Sequence, residues 1–229
     1  MTADILQWSA MKIQNKAKLV MIGDSVTDAG RTQPVGEGLF DPLGRGYVMM
    51  VDALLGAAYP GHGVRVVNMG LGGNTIKDLA ARWQRDVLDL KPDWLSIMIG
   101  INDVWRQFDS PTRPESHVLP DEYERTYRAL LERTRDTVTG IILMTPFYLE
   151  SNRADPMRRR MDEYSQIVRR LAGEFQTLFV DVRGAMDALL NAHHSSAIAW
   201  DRVHPNAVGH MAIARAFLEA VGFEWEGQH

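Results

Sequence analysis

Near the C-terminus, Asp201-Arg-Val-His204-Pro205 places an imidazole three residues after a carboxylate. Far upstream, Gly23-Asp24-Ser25 follows directly on an apolar run. A serine hydroxyl becomes a nucleophile when a base takes its proton and a third group fixes that base's tautomer. An Asp and a His three positions apart on one tight turn face the same crevice, so only the serine must come from elsewhere. Taken singly, each piece has a plain structural use. Asp-x-x-His-Pro suits a turn before a helix, and Gly-Asp-Ser suits a helix N-cap. A Ser–His–Asp hydrolase also needs donors aimed at the oxygen that turns negative during acyl transfer. The backbone N–H groups of Ser25 and Gly73 are two candidates, and the side-chain amide of Asn102 is a third. Glycine suits the second position because the backbone must approach the substrate closely. Loss of one such donor costs about 2.7–4 kcal/mol in the barrier.

The elements that must position these groups are legible as alternating patterns. Short apolar, β-branched runs at residues 18–22, 64–68, 94–99, 140–144 and 177–180 predict strands covered on both faces, as in a parallel sheet. Helical periodicity predicts helices over residues 46–59, 75–90, 121–135, 157–175 and 206–221. This alternation predicts a three-layer α/β/α sandwich with right-handed crossovers around a five-stranded parallel sheet. In such sheets ligands bind beyond the carboxyl ends of the strands. Gly23-Asp24-Ser25 follows the first strand, Gly70-Leu-Gly72-Gly73-Asn74 the second and Gly100-Ile-Asn102-Asp103 the third, while Asp201 and His204 precede the last helix. Four distant motifs therefore converge on one rim. Residues 30–46 and 107–120 read as irregular, substrate-shaping loops beside it.

The 229 residues fit one domain, residues 1–229, and 45% hydrophobic with 24% charged residues is the composition of an ordinary globular protein. A net charge of −4 provides no global pull towards nucleic acid or an anionic membrane. With no cysteine, disulfides, a thiol nucleophile and thiolate metal sites are excluded. Residues 1–18 lack the continuous apolar core of a signal peptide, so a cytoplasmic location is expected. Residues 1–16 are read either as a short ordered arm or, in part, as an added extension.

Gly23-Asp24-Ser25, Gly73, Gly100-x-Asn102-Asp103 and Asp201-x-x-His204 resemble, in order and spacing, the four blocks of the SGNH (GDSL-type) hydrolase superfamily. The stretches GINDVWRQ, ILMTPFY and AWDRVHP are similar to a bacterial subgroup of acetyl xylan or acetyl-xylooligosaccharide esterases. The resemblance implies a flavodoxin-like fold with Ser25 as nucleophile, His204 as base, Asp201 as its orienter, and Gly73 and Asn102 as oxyanion donors. Val26 stands where the name-giving motif has Leu. It further implies a serine esterase acting on a small-molecule or oligosaccharide ester, acetyl in particular, without cofactor or metal, and a homo-oligomer. The alternatives are a lysophospholipase or thioesterase of the same family, or a non-catalytic carbohydrate- or nucleotide-binding module.

Other features have plainer readings. Gly70-x-Gly72-x-x-Thr75 imitates a dinucleotide fingerprint, but Asp93 precedes the next strand instead of ending it. His62, His117, His193, His194, His210 and His229 lack metal-ligand spacing. Arg158-Arg159-Arg160 is expected on a solvated helix face. Asp24 and Asp103 are expected to hold loops through backbone N–H groups. Asp24, Trp105, Tyr148 and Trp200 are also candidate substrate-shaping residues, the aromatics as a sugar-stacking platform.

Overall fold

The computed structural model describes residues 11–225. Five strands, β1 (Lys18–Gly23), β2 (Arg65–Gly70), β3 (Trp94–Met98), β4 (Gly140–Met144) and β5 (Leu178–Val180), form one parallel sheet in the order β2-β1-β3-β4-β5. The helices are α1 (Ser25–Asp28), α2 (Tyr47–Ala58), α3 (Ile76–Trp83), α4 (Ile101–Asp109), α5 (Pro120–Thr134), α6 (Pro156–Glu174), α7 (Val182–Leu190), α8 (Ser195–Ile198) and α9 (Ala207–Ala220).

Side chains alternate across a strand, so each strand supplies two cores. Leu19, Met21, Val66, Ile142 and Met144 pack on one face with Val51 of α2, Met186 of α7 and Phe217 of α9. Val20, Ile22, Val67, Leu95 and Ile97 pack on the other with Leu79 and Trp83 of α3, Tyr127 of α5 and Val168 of α6. Burial on both faces explains why the strands read as continuous apolar runs. The expected three-layer sandwich is therefore the architecture observed. β1 lies between β2 and β3, so the chain crosses back over it and opens a crevice at its carboxyl end.

The structure differs from the sequence reading in four places. Residues 107–109, expected in an irregular loop, close α4, and a short 3-10 turn at Pro114–Ser116 interrupts the rest of that loop. Helices α4 and α7, and the single turns α1 and α8, fall outside the segments whose periodicity predicts helix. Asp181 caps α7, its side chain accepting from the Gly184 N–H at 2.9 Å. The helix expected over 75–90 is α3 followed by a wide π turn at Gln84–Leu88. Finally, Arg158-Arg159-Arg160 does not share one solvated face. Arg159 is exposed, but Arg158 is buried, donating to Asp162 Oδ1 at 3.0 Å, Asp187 Oδ2 at 2.7 Å and the Glu150 carbonyl at 2.7 Å. A buried guanidinium persists only with such partners.

Residues 11–16 pack against the sheet's amino edge. Ile13 is buried, the Lys12 N–H donates to the Val221 carbonyl at 2.9 Å, and Trp94 Nε1 donates to Gln14 Oε1 at 2.7 Å. Residues 1–10 of the anticipated arm, and His229, lie outside the described residues.

Candidate active site

β1 ends at Gly23, and Asp24 caps the single-turn helix α1, its Oδ1 accepting from the Val26 N–H at 3.0 Å. Ser25 is thus the first helical residue, presented at the crevice mouth. The turn fits because Gly70 on the neighbouring strand lacks a side chain. A Cβ there would lie 2.2 Å from the Asp28 nitrogen. Asn68 reinforces the same junction, its Nδ2 donating to the carbonyls of Thr27 (2.7 Å) and Leu43 (2.8 Å).

From 179 residues away, His204 places Nε2 2.8 Å from Ser25 Oγ. Its Nδ1 is 2.5 Å from Asp201 Oδ2, while Asp201 Oδ1 accepts the backbone N–H groups of Val203 (3.0 Å) and His204 (2.9 Å). Asp201 as acceptor assigns the proton to Nδ1 and leaves the Nε2 lone pair facing the serine hydroxyl. Burial pushes the Asp201 carboxyl up, but the hydrogen bonds from the His204 ring, the two backbone N–H groups and the charge of His204 together hold it below the usual range. The turn carries one special conformation, Arg202 at φ +65°. Its carbonyl accepts from the Leu149 N–H at 2.9 Å and its guanidinium meets Glu150 Oε2 at 2.5 Å.

The candidate oxyanion donors sit around Ser25. Gly73 adopts φ +79° in an exposed loop where nothing lies within 4 Å of a built Cβ. Asp28 steadies that loop, Oδ2 accepting from the Gly72 N–H at 3.1 Å. Asn102 is buried on the first turn of α4. Its Nδ2 donates to the Asn74 carbonyl at 3.0 Å, and its Oδ1 accepts from Arg106 Nη2 at 3.4 Å. A primary amide has two N–H donors, and one of these is committed to Asn74.

Asp24 and Asp103 both hold loops. Asp103 Oδ1 accepts from the Ile76 N–H at 2.9 Å, and its Oδ2 has no hydrogen-bond partner. Burial pushes Asp103 up to about 8, helped by the charges of Asp24 and Asp78, and pushes Asp24 up to about 7. Asp24 is 2% exposed, so it does not shape substrate. The aromatics diverge as well. Trp105 lies beside His204, with ring centroids 6.1 Å apart, Tyr148 is half-buried, and Trp200 is 85% exposed.

Sequence reasoning missed the buried polar supports. Arg31 Nε donates to the Gly70 carbonyl at 2.5 Å, which ties residues 30–46 to the site. His210 is buried, and its Nδ1 accepts from the Tyr47 N–H at 3.2 Å. Burial pushes that imidazole down to about 4, with the charge of His204 adding to the effect. Nothing in the local sequence marks these residues, because their partners come from other elements. Among the described residues, no group of three or more His, Asp or Glu is arranged to hold a metal, and no helix is long and apolar enough to cross a membrane.

Comparison with known proteins agrees with this geometry. The model of the GDSL-like Lipase/Acylhydrolase family matches residues 21–212. The chain is 57% identical over 215 residues to an acetylxylan esterase of Geobacillus stearothermophilus, covering 94% of this chain and 98% of that one. The crystal structure of an acetylxylan esterase from that organism superposes with a TM-score of 0.94 at 56% identity, over 96% of this chain and all of the other. Its catalytic mutants replace a serine, an aspartate and a histidine at the same sequence spacing as Ser25, Asp201 and His204. An α/β hydrolase enzyme from the metagenome of Lake Arreo matches with a TM-score of 0.92 at 53% identity, over 93% of this chain and 98% of its own. With four motif blocks on one rim and a family match spanning them all, the chain belongs to the GDSL-like lipase/acylhydrolase family.

Proposed function

We propose that this chain, an acylhydrolase by family, is a serine esterase that removes acetyl groups from carbohydrate esters such as acetylated xylooligosaccharides. The observation that carries the reading is the unbroken relay Ser25 Oγ–His204 Nε2 (2.8 Å) and His204 Nδ1–Asp201 Oδ2 (2.5 Å). The acetyl-sugar preference draws support from the acetylxylan esterase relatives.

In this reading Ser25 Oγ attacks the ester carbonyl while His204 Nε2 takes its proton. The carbonyl electrons move onto oxygen, and the resulting oxyanion accepts hydrogen bonds from the N–H groups of Ser25 and Gly73 and the remaining Asn102 amide proton. Collapse expels the sugar oxygen, which takes the proton back from His204. Water, deprotonated by His204, then attacks the acetyl-Ser25 ester, and the second intermediate releases acetate and regenerates the hydroxyl. Asp201 stays ionised and stabilises the imidazolium in both halves. In this reading Trp105, beside His204, the exposed Trp200, next to Asp201 in the chain, and the half-buried Tyr148 serve as sugar-stacking surfaces. The same exposed Trp200, with Leu39 and Phe40 at 82% and 94% exposure, favours a homo-oligomer that covers them in part, which light scattering would measure.

Turnover of acetylated xylooligosaccharides against p-nitrophenyl esters of increasing chain length tests the function. Ser25-dependent release of acetate, falling steeply with acyl length, is the expected outcome. A preference for long acyl chains would overturn the acetylesterase reading in favour of a lipase or thioesterase.

A further inference from the structure

Arg82 is a charged residue, 8% exposed, on the inward side of α3 among Leu79 and Trp83. Such a group needs a counter-charge, and Asp86 supplies one, with Nη1 2.8 Å from Asp86 Oδ2 and both side chains buried. Asp86 also pairs with the exposed Arg85, whose Nε lies 2.5 Å from Asp86 Oδ1. The Arg82 guanidinium sends its other N–H groups to three separate places. Nη2 donates to the Gly23 carbonyl at 3.0 Å, Nη1 also to the Met69 carbonyl at 2.9 Å, and Nε to Asn74 Oδ1 at 2.7 Å.

These acceptors share one property. Gly23 ends β1 two residues before Ser25, Met69 lies at the end of β2 where the Gly73 loop departs, and Asn74 is the residue after Gly73. The Asn74 carbonyl in turn receives the Asn102 amide at 3.0 Å. One planar fork therefore touches the carriers of Ser25 and Gly73 directly and reaches Asn102 through Asn74. The π turn at Gln84–Leu88 begins immediately afterwards and contains Asp86, and such wide turns recur at functional sites.

We propose that Arg82 is a positioning residue that sets the mutual spacing of the Ser25, Gly73 and Asn102 donors. The inference rests on the esterase reading above. Arg82 is assigned no contact with substrate; it acts through the two strand-end carbonyls and the Asn74 side chain that it joins. A lysine in its place keeps the charge but has neither the planarity nor the reach to serve three divergent acceptors at once.

The test compares Arg82→Lys, Arg82→Met and Asn74→Ala with the wild type on p-nitrophenyl acetate. Rates are normalised to active sites titrated with a fluorophosphonate, and Tm is measured in parallel. Misplaced donors cost transition-state stabilisation and leave ground-state binding alone, so kcat per titrated site should fall while KM stays within about threefold. Loss of about 10²-fold is expected for Arg82→Met and about tenfold for Arg82→Lys, since displacements near 1 Å carry penalties of that order. Asn74→Ala leaves the Arg82–Asp86 pair intact and keeps the test open if Arg82→Met does not fold. It should lower kcat about fivefold without a matching loss of Tm. Unchanged kcat per titrated site in Arg82→Lys and Asn74→Ala, with only Tm lowered, would overturn the positioning role. A wild type without Ser25-dependent turnover would instead overturn the esterase reading and this inference with it.

Discussion

The two halves of the site are built on opposite plans. The half proposed to stabilise charge (Ser25, Gly73 and Asn102) stands on the carboxyl ends of β1, β2 and β3. Beneath it lie Asp24, Asn68, Arg82 and Asp103, each less than a tenth exposed. The proton-handling half is a turn ahead of α9, with the His204 side chain 46% exposed and Asp201 18%. The buried plug Val203, the Arg202–Glu150 pair and the Leu149–Arg202 backbone bond hold that turn to the neighbouring loop. The difference follows from the work each half does. Stabilising a transient oxyanion needs dipoles already fixed in a medium that screens poorly. Passing protons between serine, leaving group and water needs a base that solvent and substrate can both reach.

Substitutions in the two halves should separate these plans. The largest expected effect lies in the exposed half. Asp201→Asn keeps the shape of the turn but favours the wrong His204 tautomer, and kcat should fall about 10⁴-fold. A loss below about tenfold would mean that Asp201 does not govern the base. In the buried half, Asn102→Ala should lower kcat by about 10²–10³ while KM changes little. A matching rise in KM with kcat preserved would reassign Asn102 to substrate binding.

Stability should divide along the same line, with opposite signs. Asp103, raised to about 8, binds its proton more tightly in the folded chain than in the unfolded one. Its contribution therefore declines as pH climbs from the ordinary carboxylate range towards 8, at up to about 1.4 kcal/mol per pH unit. Asp103→Asn should flatten the alkaline limb of urea midpoints measured between pH 5 and 9. His210, on α9 behind the His204 turn, is lowered to about 4 and binds its proton less tightly when folded. Its contribution is present above the ordinary imidazole range and is lost as pH falls from there towards 4. His210→Asn retains an acceptor for the Tyr47 N–H and should soften the acid limb by about 1 kcal/mol per pH unit or less. If both variants moved the same limb, the opposed-sign picture would fail.

The sheet and the site were legible in the sequence for different reasons. Runs such as KLVMI and GIILM announce strands because burial on both faces removes polar alternation. The motif blocks announce the site because Ser, Gly and Asn have few other reasons to follow successive strand ends, with an Asp-x-x-His turn ahead of the last helix. Helix α4 escaped detection because its first turn buries Asn102 and Asp103, polar residues where an amphipathic stripe would be apolar. Arg82 and Arg158 escaped because arginine normally signals solvent. Only the fold supplies the carbonyls and carboxylates, from Gly23 to Asp187, that let them be interior. Of the two readings of Asp24, the loop-holding one stands and the substrate-shaping one does not, since adjacency to the nucleophile in the chain says nothing about the direction of a carboxylate.

The bond between the Lys12 N–H and the Val221 carbonyl has a practical consequence. It brings the start of the described chain and the end of its last helix together at the amino edge of the sheet, a full strand length from the crevice. A tether or resin linkage made through the exposed Lys12 side chain would leave the mouth facing outward. Polymer-anchored preparations attached there should turn over as fast as the free protein, whereas anchoring through residues 200–206 should block entry.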